Sequence, residues 1–170
     1  MRSLRDRSLR RALQVKPGVS HAHPEPMTVP QSIEAVEFPV LLWRKGYSYV
    51  APSPLELCVH PRSLFAETQS EARQGAFTLA DSAGRVYEVS DFEAVKPFGG
   101  LSRVGHFLLR SVFAAPVLRG AKQPDLPEFC AIIGRALRDR FGKRFVDELA
   151  QAQSPREALT LVAQRERRAG

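Results

Sequence analysis

The chain changes its period once. Before Pro97-Phe98-Gly99-Gly100 the apolar residues recur mostly at every second position, and after it they recur at helical spacing. Alternation sends side chains to both sides of a strand, whereas three-and-four spacing gathers them on one side of a helix. A sequence that runs strands first and helices second points to an α+β architecture, with helices packed on an antiparallel sheet. The expectation is a small antiparallel sheet over about 34–96, followed by and packed against C-terminal helices over about 101–168.

The 170 residues are enough for one hydrophobic core, and the 44% apolar and 25% charged shares are those of a folding chain. One domain is therefore expected over 31–170, with a strand-rich half at 31–98 and a helical half at 101–170. Residues 1–30 read differently. Beyond Leu4, Leu9, Leu13 and Val15, which would allow a short basic helix over Leu4 to Gln14, there is no sustained period, Pro, His, Gly and Ser follow, and six basic residues stand against two acidic ones. Such a segment buries too little to offset its ordering entropy, so a disordered basic tail is expected. Met27, just ahead of the first strand signal, is a second candidate for the start of translation.

Within the strand-rich half, Val36, Phe38, Val40 and Leu42 share one side, and Pro39 among them suggests an edge strand. Lys45-Gly46 predicts a turn into a return strand from Tyr47 to Val50. Leu55, Leu57 and Val59 alternate with Glu56, Cys58 and His60, which predicts a half-buried strand. Over 63–74, Thr68-Gln69-Ser70-Glu71 has capping-box spacing and Gly75 suits a stop, so a short helix is expected there. Phe77 to Ala80 and Arg85 to Val89, joined through Asp81-Ser82-Ala83-Gly84, predict a hairpin.

In the helical half, Leu101, Val104, Leu108, Leu109 and Val112 predict a helix with Arg103, His106 and Arg110 on its polar side. Asp125-Leu126-Pro127-Glu128 has the cap, early proline and third-position acid of a helix start. Phe129, Ile132, Ile133, Ala136 and Leu137 form its stripe and Gly142 its stop, before a shorter helix through Phe145, Val146 and Leu149. Ser154-Pro155-Arg156-Glu157 repeats the start, with Ala158, Leu159, Leu161 and Val162 as the buried side of the last helix.

Chemistry is sparsely signalled. Phosphate-loop, nucleophile-elbow and zinc-protease motifs are absent from the sequence. Cys58 and His60, two apart in the predicted strand, would share a face as a thiolate with a base or as two metal ligands. A closed zinc site needs four ligands, and Cys130 and His106 stand alone, so no metal and no cofactor are expected. His21 and His23 fall in the tail. The two widely spaced cysteines suggest a reducing, cytoplasmic setting. The most apolar stretch, 101–118, contains Arg103, His106, Arg110 and Pro116, so no membrane segment is expected.

Three function classes remain. Trp43, Tyr47 and Tyr49 around the Lys45-Gly46 turn suggest aromatic anchors for another protein, which makes a non-catalytic protein-binding or regulatory module the first expectation. The net charge of +7 invites nucleic acid instead, through the tail and the cluster Arg135, Arg138, Arg140, Lys143 and Arg144. There the helices over 142–150 and 155–167 would form a helix-turn-helix presenting Pro155, Arg156 and Glu157 to a groove. Asp139, Asp147 and Glu148, four residues from Lys143 or Arg144, would neutralise part of that charge. An enzyme built on Cys58 and His60 is the third class.

Overall fold

In a computed structural model, residues 31–96 and 110–169 are described. The sequence alternation is realised in β1 (Val40–Arg44), whose Val40 and Leu42 enter one core while Leu41 and Trp43 enter another. The strand thus has two buried faces. β1 pairs with β2 (Tyr47–Ala51) through the two-residue Lys45-Gly46 loop, where Gly46 takes a φ of 77°. On its other side it pairs with β4 (Phe77–Asp81). β1 is therefore an interior strand, not the edge that Pro39 suggested. Pro39 lies one residue before the ladder begins, so its missing amide removes no rung.

The predicted hairpin forms as β4 and β5 (Val86–Ala94), with Phe77 opposite Val89 and Gly84 at a φ of 87°. Its turn is organised by Asp81, which is fully buried. One carboxylate oxygen accepts the amides of Ala83 and Arg85, and the other accepts Arg85 Nε at 2.8 Å. Arg85 also reaches the Ala35 carbonyl, which ties the entering chain to the hairpin.

Two segments differ from expectation. The predicted strand at Leu55–Val59 is instead α1 (Pro54–Cys58), followed by a three-residue strand β3 (Val59–Pro61). Ser53 caps α1 by accepting the Glu56 amide, with Pro54 at the first turn. α2 (Arg62–Arg73) starts at Arg62, so Thr68 lies mid-helix, its hydroxyl donating to the Leu64 carbonyl rather than capping a start. Gly75 stops the chain there with a φ of 74°. The predicted helix through Val112 falls largely on residues 101–109, outside the described residues, but Val112 itself lies in β6 (Ser111–Lys122). The sheet therefore continues well past residue 96, and among the described residues the helix that follows β6 starts at Leu126.

All pairings are antiparallel, in the order β2-β1-β4-β5-β6-β3. The C-terminal helices, α3 (Leu126–Leu149) and α4 (Pro155–Ala169), cover the face of Leu41, Trp43, Ala80 and Val86. On the opposite face, α1, α2 and the 3-10 turn Gln31–Ile33 cover Val40, Leu42, Leu79, Val89 and Phe92. The α3 cap is as the sequence predicts, with Asp125 accepting the Glu128 amide at 2.9 Å. Gly142, at φ 80° and ψ 173°, interrupts α3. Residues twelve apart on a straight helix stand about 18 Å apart. A Cβ placed on Gly134 would nevertheless lie 3.0 Å from Val146 Cγ1, so the second arm folds back on the first.

Candidate binding cleft

Because β1 and β2 alternate, the three aromatics of the first hairpin part company. Trp43 is only 8% exposed and packs under α3 and α4. Its burial removes it from the set of surface anchors that the sequence suggested. Tyr47 and Tyr49, opposite Arg44 and Leu42, project to the other face. There they line a cleft of about 350 Å³ between the hairpin, α1, β3 and α2.

Helical spacing brings Leu64, Glu67, Thr68 and Glu71 of α2 to the cleft, since residues three, four and seven apart share one side. Leu42, Leu57 and Phe77 give it an apolar floor, and Glu56 of α1 stands near Tyr49. Tyr47, 44% exposed, and Leu64, 52% exposed, are the large exposed apolar side chains among the described residues. Both line this cleft. Leu64 was not singled out from sequence, whereas Glu67 with Glu71 stands in it as a carboxylate pair open to acid–base work, as does Asp91 with Glu93; the helical spacing of 64, 67, 68 and 71 was the signal that joins Leu64 to that pair.

Arg44 is held from three directions. Its guanidinium meets Glu71 Oε1 at 2.7 Å and lies 5.8 Å from the Tyr47 ring centre and 5.6 Å from that of Phe77. Glu71 Oε2 is buried and has no hydrogen-bond partner among the described residues. Burial, then the Glu56 carboxylate, pushes the Tyr49 phenol up to about 12. Burial, then Glu166, raises Tyr47 against the opposing pull of Arg44 and Arg140. Both phenols are therefore neutral at physiological pH and able to donate hydrogen bonds.

His60 also lines the cleft, with its ring edge-on to Phe92 at 4.8 Å. Burial lowers its pKa below the ordinary histidine value, although the Ala114 carbonyl opposes this. That carbonyl, 3.1 Å from Nε2, can only accept, so Nε2 carries the proton. Cys58 does not join it as a strand neighbour. It ends α1 inside the core, fully buried, with its thiol pushed up to about 12 by burial, where the thiolate is negligible at neutral pH. Cys130 is likewise a buried free thiol. Among the described residues no three of His, Cys, Asp and Glu are grouped to hold a metal ion. His21, His23 and His106 lie outside the described residues.

The basic cluster divides. Arg135, Arg138, Lys143 and Arg144 are exposed on α3, with Arg144 paired to Glu148 at 3.6 Å. Arg140 instead donates to the Ser48 carbonyl and hydroxyl and pairs with Glu166 at 3.4 Å. Glu166 in turn accepts the Ser48 hydroxyl and the Val50 amide. Ser48 and Val50 sit at the non-bonded positions of the β1–β2 ladder, so their backbone groups face outward from an edge strand. Arg140 and Glu166 cap that edge, which would otherwise offer a template for strand pairing. The start of α4 is also occupied: Pro155 packs against the Gly84 turn and Arg156 reaches Ser82. Among the described residues no helix is long and apolar enough to cross a membrane. Comparison with protein-family models, curated proteins and solved structures finds no match.

Proposed function

We propose that the chain is a non-catalytic protein-binding module, working in the cytoplasm, whose docking site is the cleft between the first hairpin and α2. One observation carries this reading: Tyr47 and Leu64, from two different elements, leave their apolar surface exposed along the same concavity. Exposed apolar side chains scattered singly need no explanation, but two converging on a cleft rimmed by polar groups describe a contact site. At about 350 Å³ the cleft is at the small end of ligand sites, suited to one or two side chains of a partner. The two free, buried thiols accord with a reducing compartment.

A photoreactive amino acid placed at Leu64 in the full chain, in its own cells, should cross-link a partner that the same group at Arg138 does not. Tyr47→Ala should abolish that product. Cross-links from position 138 alone would overturn the reading. They would favour the second reading, nucleic-acid binding, whose supporting observation is that Arg135, Arg138, Lys143 and Arg144 are exposed. About three or four phosphate contacts would give a log–log salt slope near −3.

A further inference from the structure

From the charges lining the cleft we infer that its occupant is a partner-protein segment inserting a lysine or arginine side chain between Tyr47 and Leu64, with the cation directed to Glu71 and Glu67. The inference rests on the docking reading above and adds the chemistry of the partner.

Three carboxylates line the cleft, those of Glu56, Glu67 and Glu71, against the single guanidinium of Arg44. Arg44 is committed to one oxygen of Glu71 and leaves the other without a hydrogen bond. His60 holds its proton on Nε2 toward Ala114 and adds no charge when neutral. The cleft therefore carries a local excess of two negative charges in a chain whose net charge is +7. Its sign runs against that of the whole molecule. The Glu71 side chain keeps 24% of its surface and Glu67 is exposed one turn away, so an ammonium or guanidinium group, which supplies donors only, meets acceptors at this end of the cleft. Glu67 and Glu71 are one helical turn apart on α2, a like-charge spacing that weakens a helix and that a cation between them would relieve.

The apolar parts of the cleft select the same ligand. Lysine and arginine carry long apolar stems that lie along apolar surface while the head reaches polar groups. Tyr47, Leu64, Leu42 and Phe77 provide that surface, and the carboxylates provide the end point. A purely apolar side chain would offer these carboxylates no donor, and an acidic one would meet three like charges. The long-range field of the +7 chain opposes a basic partner, but it is screened beyond about 8 Å at physiological salt, so the local charges decide the fit.

The test is a titration of the isotope-labelled full chain, followed by amide shifts and calorimetry, with the probe peptide acetyl-Gly-Leu-Lys-Leu-Gly-amide. Two controls replace its lysine by norleucine, which keeps the stem without the charge, or by glutamate. The expected result is shifts centred on Tyr47, Leu64 and Glu71, with the lysine peptide binding at least tenfold more tightly than the norleucine peptide. Glu71→Gln should reduce that ratio below threefold. Glu67→Gln, at an exposed position outside the Arg44 pair, should reduce it by a smaller factor and guards against misfolding of the first variant. Equal binding of the lysine and norleucine peptides in the cleft would overturn the cationic assignment and leave the docking reading standing. Tighter binding of the glutamate peptide would overturn the cationic assignment too. Concentration-dependent dimers lost in Tyr47→Ala would also overturn it, by making a second copy the occupant. Absence of shifts in the cleft with every peptide would overturn both readings.

Discussion

The two faces of the sheet are built from the same strands and finished differently. On the side of Leu41, Trp43, Ala80 and Val86, α3 folds back at Gly142 and α4 closes over the sheet. On the side of Leu42, Phe77 and Tyr49, α1 and α2 leave a cleft beside the hairpin. One residue of alternation separates them, since Trp43 and Arg44 are neighbours in sequence and end up on opposite faces. Large side chains are buried on both faces, Phe129 and Phe145 on the closed one and Phe92 and Leu79 on the open one, but it is the open one that leaves Tyr47 and Leu64 exposed beside a cleft.

The largest expected effect comes from the closed face. Trp43→Ala should destabilise the fold by about 3–5 kcal/mol, through lost burial and the cavity left behind, whereas Leu64→Ala should stay within about 0.5 kcal/mol. Denaturant melts of the two variants check this, and comparable losses would erase the contrast. Gly142→Ala should cost about 1–3 kcal/mol, because its backbone conformation is essentially restricted to glycine. A melt showing no loss would mean that the fold-back of α3 tolerates another geometry.

Glu166→Ala should cost about 1 kcal/mol by leaving Arg140 and the Val50 amide short of a partner. Beyond stability, it uncovers the β2 edge, so sedimentation should show self-association that the wild type lacks at equal concentration. The smallest effect belongs to His60. Its folded pKa lies below its unfolded value, so between the two the unfolded chain binds more protons and stability rises with pH. Stability should therefore fall as pH drops below about 6.5, the ordinary histidine value. His60→Gln should flatten that dependence in melts run from pH 7.5 to 5.

The fold class, the two hairpins and the caps at Asp125 and Ser154 were legible because each rests on local grammar. The stop at Gly142 was legible for the same reason. The strand expected from the alternation of Leu55, Leu57 and Val59 was wrong because the start signature of those helices also stands at Ser53-Pro54-Leu55-Glu56, a signal missed in the sequence. β6 was hidden by Pro116 and Gly120, residues that normally break strands. The structure accommodates both: β3 covers only Ser111–Phe113, so β6 has one neighbouring strand at Pro116, and Gly120 sits at a register irregularity opposite β5. The cleft was half legible. Tyr47 and Tyr49 stand out in the sequence, but their separation from Trp43 depends on register, and their meeting with Leu64 and Glu71 depends on α2 returning beside the hairpin. Arg140 looked like its basic neighbours, and only the tertiary fold assigns it to the edge of β2.

The most direct test of the contrast between the faces is solvent accessibility by NMR, using a soluble gadolinium agent on the full chain with and without the lysine peptide. Strong broadening is predicted for the Leu64 methyls and the Tyr47 ring, with little at the Trp43 indole, and the peptide should protect Leu64 and Tyr47 alone. A Trp43 indole broadened as strongly as Tyr47, or peptide protection that appears on the outer face of α3 instead of in the cleft, would contradict the account.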